Sequence, residues 1–205
     1  MLTTEQTIMW MEKMSIKVQE NKEYLTSLDQ AIGDGDHGIN LSRGFSEVVS
    51  KISATNYNSS SDVLKDVAMT LMSKVGGASG PLYGTAFLKL SMALNEKEST
   101  FETFTTGVDE ALNGIIMRGK AQPGEKTMVD VWSPVVKLFK ETNEFNSDKL
   151  KDVAREAAEA TKDVKATKGR ASYLGDRSIG HIDSGSMSSY YLFEALAEVL
   201  SEGAK

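Results

Sequence analysis

The chain has 205 residues, 40 % of them hydrophobic and 25 % charged, with a net charge of −6. This is globular composition on a chain long enough to bury a core, and the acidic balance argues against a nucleic-acid-binding protein, which needs a basic face. Cysteine is absent, which excludes disulfide frameworks and thiolate zinc sites. No apolar run approaches the roughly 18 residues of a membrane span, and the N-terminus lacks a basic and an apolar signal region, so a soluble cytoplasmic protein is expected.

Helical spacing runs through the whole chain. Thr3 and Gln6 are placed as a capping box. Behind them Ile8, Met11, Ile16, Leu25, Leu28 and Ile32 recur at roughly helical intervals, with interruptions. A short helix is expected after Gly38, and the polar stretch Asn56 to Ser61 is expected to be a mobile loop. Val63, Val67, Leu71 and Val75 repeat every four residues. Leu82 to Leu94 is apolar on several faces, which predicts a central helix. Ser99 and Glu102 form a second capping-box pattern, opening a helix to about Met117. Further helices are predicted from Thr127 to Thr142, Ser147 to about Val164, and Met187 to Leu200. About eight helices result. No run of alternating β-branched residues is present. The expected fold is therefore all-α, with antiparallel neighbours joined by short loops in one domain, 1–205.

Glycines concentrate in three places: Gly33 to Gly38, Gly76 to Gly84, and Gly169 to Gly185. Helix capping explains one glycine per loop, not three or four. In the first loop Asp29, Asp34 and Asp36 place three carboxylates within eight residues. Such a cluster repels itself unless a cation neutralises it; oxygen ligands suit magnesium or calcium, and an acidic solvated loop is the bland reading. Gly33-Asp-Gly35-Asp-His-Gly38 matches the spacing of a dinucleotide fingerprint but follows a helix, not a strand. Read as a calcium loop starting at Asp34, it ends on Phe45 where a glutamate is needed. Gly114 to Ala121 imitates a P-loop without its final Ser/Thr.

The second loop, Gly76-Gly-Ala-Ser-Gly-Pro81, suits a helix start with Ser79 or Gly80 as N-cap and Pro81 in the first turn. Free N–H groups there form a seat for an anion. In the third, Arg118 to Asp130, Lys126 is placed to meet phosphate and Met128 to line a slot for a base, although a methionine is more often core. In the last, Lys168 to Ser186, Arg170 and Arg177 are candidates for phosphate oxygens, with surface ion pairs as the plain alternative. With two histidines and no Gly-x-Ser-x-Gly elbow, hydrolytic chemistry has little support.

These four loops, in order, resemble the nucleotide-binding L domain of dihydroxyacetone kinases. The motifs are Leu-Asp-x-x-Ile-Gly-Asp-Gly-Asp-His-Gly-x-Asn from Leu28, Gly-Gly-Ala-Ser-Gly-Pro-Leu-Tyr-Gly-Thr from Gly76, Arg-Gly-Lys-Ala-x-Pro-Gly-x-Lys-Thr-Met-x-Asp from Arg118, and Gly-Arg-Ala-Ser-Tyr-Leu-Gly-x-Arg-Ser-Ile-Gly-His-x-Asp from Gly169. The resemblance spans essentially the whole chain. Ser184 departs from it, standing where proline is usual, and Ser186 replaces a common alanine. It implies an eight-helix antiparallel barrel holding ADP or ATP at one end. It also implies that Asp29, Asp34 and Asp36 hold two Mg2+ ions. Nucleotide and phosphate contacts carry over to His37, Gly38, Ile39, Asn40, Ala78, Ser79, Gly119, Met128, Arg170, Asp183, Ser184 and Gly185.

The length leaves no room for a fused substrate-binding domain, so the chain resembles the free L subunit of the phosphoenolpyruvate-driven phosphotransferase system. By that resemblance, ADP stays bound and a phosphohistidine on an M subunit recharges it. The γ-phosphoryl then passes to dihydroxyacetone held by a K subunit, and the L chain supplies no catalytic base of its own. The alternatives are an ADP-loaded partner of a transcription activator, or a subunit serving another small ketose or a fatty acid.

Overall fold

The computed structural model describes residues 2–97 and 100–202. Among them are nine α-helices: α1 (Thr4–Glu20), α2 (Lys22–Ile32), α3 (His37–Ser53), α4 (Ser60–Lys74), α5 (Ser79–Leu94), α6 (Phe101–Gly119), α7 (Val129–Glu141), α8 (Ser147–Ala160) and α9 (Ser184–Glu202). Two 3-10 segments, Thr161–Asp163 and Arg170–Ser178, lie between α8 and α9. No strand occurs among the described residues, in line with the expected all-α class.

The helices close a ring. Going round it, α1 packs on α3, then α4, α5, α6, α7, α8 and α9 follow, and α9 returns to α1. That makes eight walls, and α2 is the ninth helix, lying across one end against α3 and α9. The extra helix arises where the first periodic stretch breaks at Asn21, whose side-chain amide donates to the Lys17 carbonyl at 2.9 Å. The N-termini of α3, α5, α7 and α9 all reach one end, beside α2, so ring neighbours run antiparallel.

Apolar residues at helical spacing fill the interior. Trp10, Met11, Met14 and Val18 are the inward face of α1. Trp10 meets the rings of Phe87 and Phe104 edge-on, with centroids 5.7 and 6.5 Å apart, and its indole N–H donates to the Leu192 carbonyl at 2.8 Å. Trp132 stands edge-on to Phe193 at 4.9 Å. α5 lies between α4 and α6, its closest partners, which is why its sequence is apolar on several faces.

Three details differ from expectation. The helix after Gly38 is not short: α3 has 17 residues. Gly38 does not break it but lets it pack, because a Cβ there would lie 2.1 Å from the Lys22 carbonyl of α2. The stretch from Asn56 is a short bend that hands over to α4, with Ser59 accepting the Asp62 N–H. α6 begins on Thr100, which forms a capping box with Thr103; Ser99, expected in that role, lies outside the described residues.

Candidate functional site

At the α2 end the barrel opens into a cavity of 480 Å³. Asp29, from the last turn of α2, and Asp34 and Asp36, from the loop to α3, face it with carboxylate oxygens within 4.8 Å of one another. The loop is pulled tight around Asp29, whose Oδ2 accepts the N–H groups of Asp36 and His37 at 2.9 and 3.2 Å. Arg170 Nε forms an ion pair with Asp34 at 3.0 Å, so this guanidinium partly offsets the cluster. Three converging carboxylates with no sulfur or free imidazole match the donor set of a hard divalent cation.

Beside the carboxylates three more helices start: α5 after Ala78 has no side-chain cap, α3 after Asp36 gives its first N–H, of His37, to Asp29, and α7 after Met128 gives the Val129 N–H to the Thr127 hydroxyl at 3.2 Å and the Asp130 N–H to the Thr127 carbonyl at 2.9 Å. The expected caps of α5, Ser79 and Gly80, are instead its first helical residues. Pro81 is the third residue of that helix, where its missing N–H costs nothing. Gly80 allows the turn to close on α4, since a Cβ there would lie 2.3 Å from the Val75 carbonyl. Uncapped N-termini present N–H groups and the positive end of the helix dipole. The fourth, α9, is held from within, with the Ser186 N–H donating to Asp183 at 2.7 Å.

His37 is buried and holds two hydroxyls, Ser79 at Nδ1 (3.0 Å) and Ser188 at Nε2 (2.9 Å). Burial drives its pKa down to about 4, against the pull of Asp29 and Asp36, so the ring is neutral near pH 7. Burial pushes Asp183 up to about 6, with the Ser186 hydrogen bonds opposing. Tyr83, also buried, is pushed up to about 12 and keeps its proton.

Of the residues singled out in the sequence, Asp29, Asp34, Asp36, His37, Asn40, Ala78, Ser79, Met128, Arg170, Asp183, Ser184 and Gly185 all face this cavity. Gly38, Ile39 and Gly119 do not. Gly38 is spent on the α2–α3 contact, Ile39 points away and is half exposed, and Gly119 sits behind Leu82. Arg177 is exposed and outside the cavity.

Lys126 lines the wall, but its ammonium is committed elsewhere. It donates to the carbonyls of Thr161 (2.6 Å), Val164 (3.0 Å) and His181. It therefore pins the α8–α9 connection over the cavity instead of reaching for phosphate. Burial lowers its pKa, with nearby Asp183 opposing.

The two departures from the family pattern have partners. The Ser184 hydroxyl reaches Asp29 Oδ1 at 3.4 Å, and Ser186 donates to the Thr127 carbonyl at 2.8 Å. The sequence reading missed Lys168, Leu82 and Tyr83 as lining residues and Ser188 behind them. Ser188 had a signal: serines 184, 186, 188 and 189 crowd one end of an otherwise apolar helix.

The family model described as the DAK2 domain matches residues 31–198. The chain is 52 % identical to the "PTS-dependent dihydroxyacetone kinase, ADP-binding subunit DhaL" of Lactococcus lactis, over 98 % of this chain and 100 % of that protein. It is 42 % identical to the "PEP-dependent dihydroxyacetone kinase, ADP-binding subunit DhaL" of Escherichia coli, over 98 % and 99 %. The solved dihydroxyacetone kinase of C. freundii shares the fold at a TM-score of 0.70 and 20 % identity, over 95 % of this chain. The chain spans about a third of that kinase, 34 %. Matched by the family model over most of its length, and by these relatives from end to end, the chain belongs to the DAK2 domain family.

Proposed function

We propose that this chain is the ADP-binding subunit of a phosphoenolpyruvate-dependent dihydroxyacetone kinase, acting as one cytoplasmic domain, 1–205. The observation that carries the reading is the meeting, in one cavity, of three carboxylates with the uncapped start of α5 and its Ser79 hydroxyl. A polyanion needs the second set and its cation needs the first. An acidic chain can then hold phosphates without a basic face. Two full-length relatives carry the name of ADP-binding subunit, and a solved C. freundii kinase of this fold is in complex with AMP-PNP and Mg2+.

In this reading Asp29, Asp34 and Asp36 hold two magnesium ions. Bound there, magnesium supplies charge neutralisation at the phosphoryl oxygens. The N–H groups opening α5, with the Ser79 hydroxyl, receive phosphate oxygens. Leu82 and Met128 offer apolar surface for the base. Arg170, at the mouth, faces the outer phosphate. None of these is a base for a sugar hydroxyl, so the acceptor, dihydroxyacetone, sits on a K subunit. A phosphohistidine on an M subunit regenerates ATP from the retained ADP.

Reconstitution with K and M subunits tests this directly: dihydroxyacetone phosphate should form from phosphoenolpyruvate, with ADP retained by the L chain. Asp34→Ala should lose magnesium-dependent ADP retention by at least about a hundredfold, since it removes a charged ligand. Full ADP occupancy and normal turnover in that variant would refute the metal assignment. ADP retention without any product would instead favour a regulatory partner of a transcription activator. Product from another small ketose alone would redirect the substrate.

A further inference from the structure

Behind the cavity wall runs a continuous line of buried polar groups that nucleotide contact does not account for. The Trp132 indole N–H donates to Ser189 Oγ at 3.2 Å, and Ser189 donates to the Gly185 carbonyl at 2.8 Å. The Tyr83 hydroxyl lies between Ser188 Oγ, at 2.8 Å, and Ser189 Oγ, at 3.1 Å. Ser188 Oγ meets His37 Nε2 at 2.9 Å, and His37 Nδ1 meets Ser79 Oγ at 3.0 Å. Of this line Ser79, His37, Tyr83 and Gly185 border the cavity, while Ser188, Ser189 and Trp132 lie behind them.

The direction of the line follows from donor counting. An indole N–H can only donate. It takes one of the two lone pairs of Ser189, which spends its own hydrogen on Gly185. The Tyr83 hydrogen then goes to its shorter neighbour, Ser188. Ser188 is left to donate, either to Nε2 at 2.9 Å or to the Gly185 carbonyl at 3.1 Å. That carbonyl is already served by Ser189, so Nε2 is the better acceptor. A neutral ring that accepts at Nε2 carries its proton on Nδ1 and donates it to Ser79. The hydrogen of Ser79 is then free to point into the cavity. The Ser184 carbonyl also approaches the ring, but in α9 it faces the Ser188 amide, and both hydrogen bonds of the ring nitrogens go to hydroxyls.

We propose that Tyr83 and Ser188 are positioning residues that hold His37 in its Nδ1–H form, so that Ser79 meets an anionic oxygen as a donor. In the opposite tautomer Ser79 would spend its hydrogen on His37 and present a lone pair to a phosphate. The benefit to the ligand rests on reading the cavity as a nucleotide site; the tautomer does not.

Long-range 1H–15N spectra of the ring nitrogens test it, on the full chain without nucleotide. The chain has two histidines, and His181→Gln assigns the signals. The expected result is a protonated Nδ1 and an unprotonated Nε2 at His37. Tyr83→Phe frees Ser188 to accept, which should move the proton toward Nε2 and weaken Mg–ADP binding about tenfold, the size of one hydrogen bond to a charged group. Ser186→Ala removes another buried hydroxyl of the same helix, one that bonds the Thr127 carbonyl and lies outside this line, and should keep the wild-type tautomer. Equal tautomer shifts in both variants would mean a merely structural role and overturn the proposal. So would an Nε2–H ring in the wild-type protein. A wild-type Nδ1–H ring in a protein that fails to bind Mg–ADP would instead overturn the nucleotide reading alone.

Discussion

The two ends of the barrel solve the same problem in opposite ways. At the end away from α2, the helices α1, α4, α6 and α8 begin on Thr3, Ser59, Thr100 and Asn146, and each of these side chains accepts a backbone N–H from its own first turn. At the other end α3, α5 and α7 begin on Asp36, Ala78 and Met128 with no such bond. Of these three, α7 still gives its first N–H to the Thr127 hydroxyl and α3 its first N–H to Asp29, so the start of α5 is the one left open beside the cavity among the described helices. The open end also gathers the acidic cluster and buried titratable groups, whereas the capped end carries short polar turns.

The comparison can be broken in several places. The largest effect on stability is expected at Lys126. Lys126→Met removes a buried ammonium that satisfies three carbonyls, and should cost about 3 kcal/mol or more by denaturant unfolding. A loss below about 1 kcal/mol would mean that the α8–α9 connection is held by other contacts.

Next comes pH. His37 falls from 6.5 to about 4 on folding, so its contribution is complete above pH 6.5 and is lost as pH falls toward 4. Asp183 rises from 3.8 to about 6, so its contribution is complete below pH 3.8 and is lost as pH rises toward 6. The two slopes oppose each other between about pH 4 and 6. Asp183→Asn should unmask the histidine, with stability climbing by on the order of 3 kcal/mol from pH 4 to 6.5. The wild-type profile should be much flatter, and identical profiles would show that the two groups do not titrate as stated.

A smaller effect sharpens the contrast itself. Ala78→Asp places a carboxylate at the open start of α5. Retention of Mg–ADP should drop about tenfold, while ligand-free stability stays level or rises by less than about 1 kcal/mol. Unchanged retention would mean that this helix end receives no anion. Smallest is the loss of a far-end cap. Ser59→Ala should cost about 1 kcal/mol and leave nucleotide binding untouched; a binding defect there would contradict the separation of the two ends.

Much of this was legible in the linear chain because it is local. Helix class followed from the spacing of residues such as Val63, Val67 and Leu71, and the Thr3–Gln6 box formed both of its bonds, at 3.0 and 3.1 Å. The acidic triad was legible because Asp29, Asp34 and Asp36 are close in sequence. Gly38 was placed before its helix and not inside it, because its close approach is to Lys22 on another helix, which no local pattern contains. Lys126 was misread for a similar reason: its three acceptors lie 35 to 55 residues further on.

The sequence by itself therefore determined the helical class, the carboxylate cluster and the glycine-rich loops, since each depends on residues within a turn or two of one another. Tertiary structure alone decided that eight helices close into a ring with α2 across its mouth. It decided that Ile39 and Gly119 face away from the cavity while Leu82 and Tyr83 line it. It also decided that Tyr83 and Ser188, 105 residues apart, meet at 2.8 Å behind His37. Those facts depend on which faces of distant helices pack together, and burial sets them for the whole chain at once.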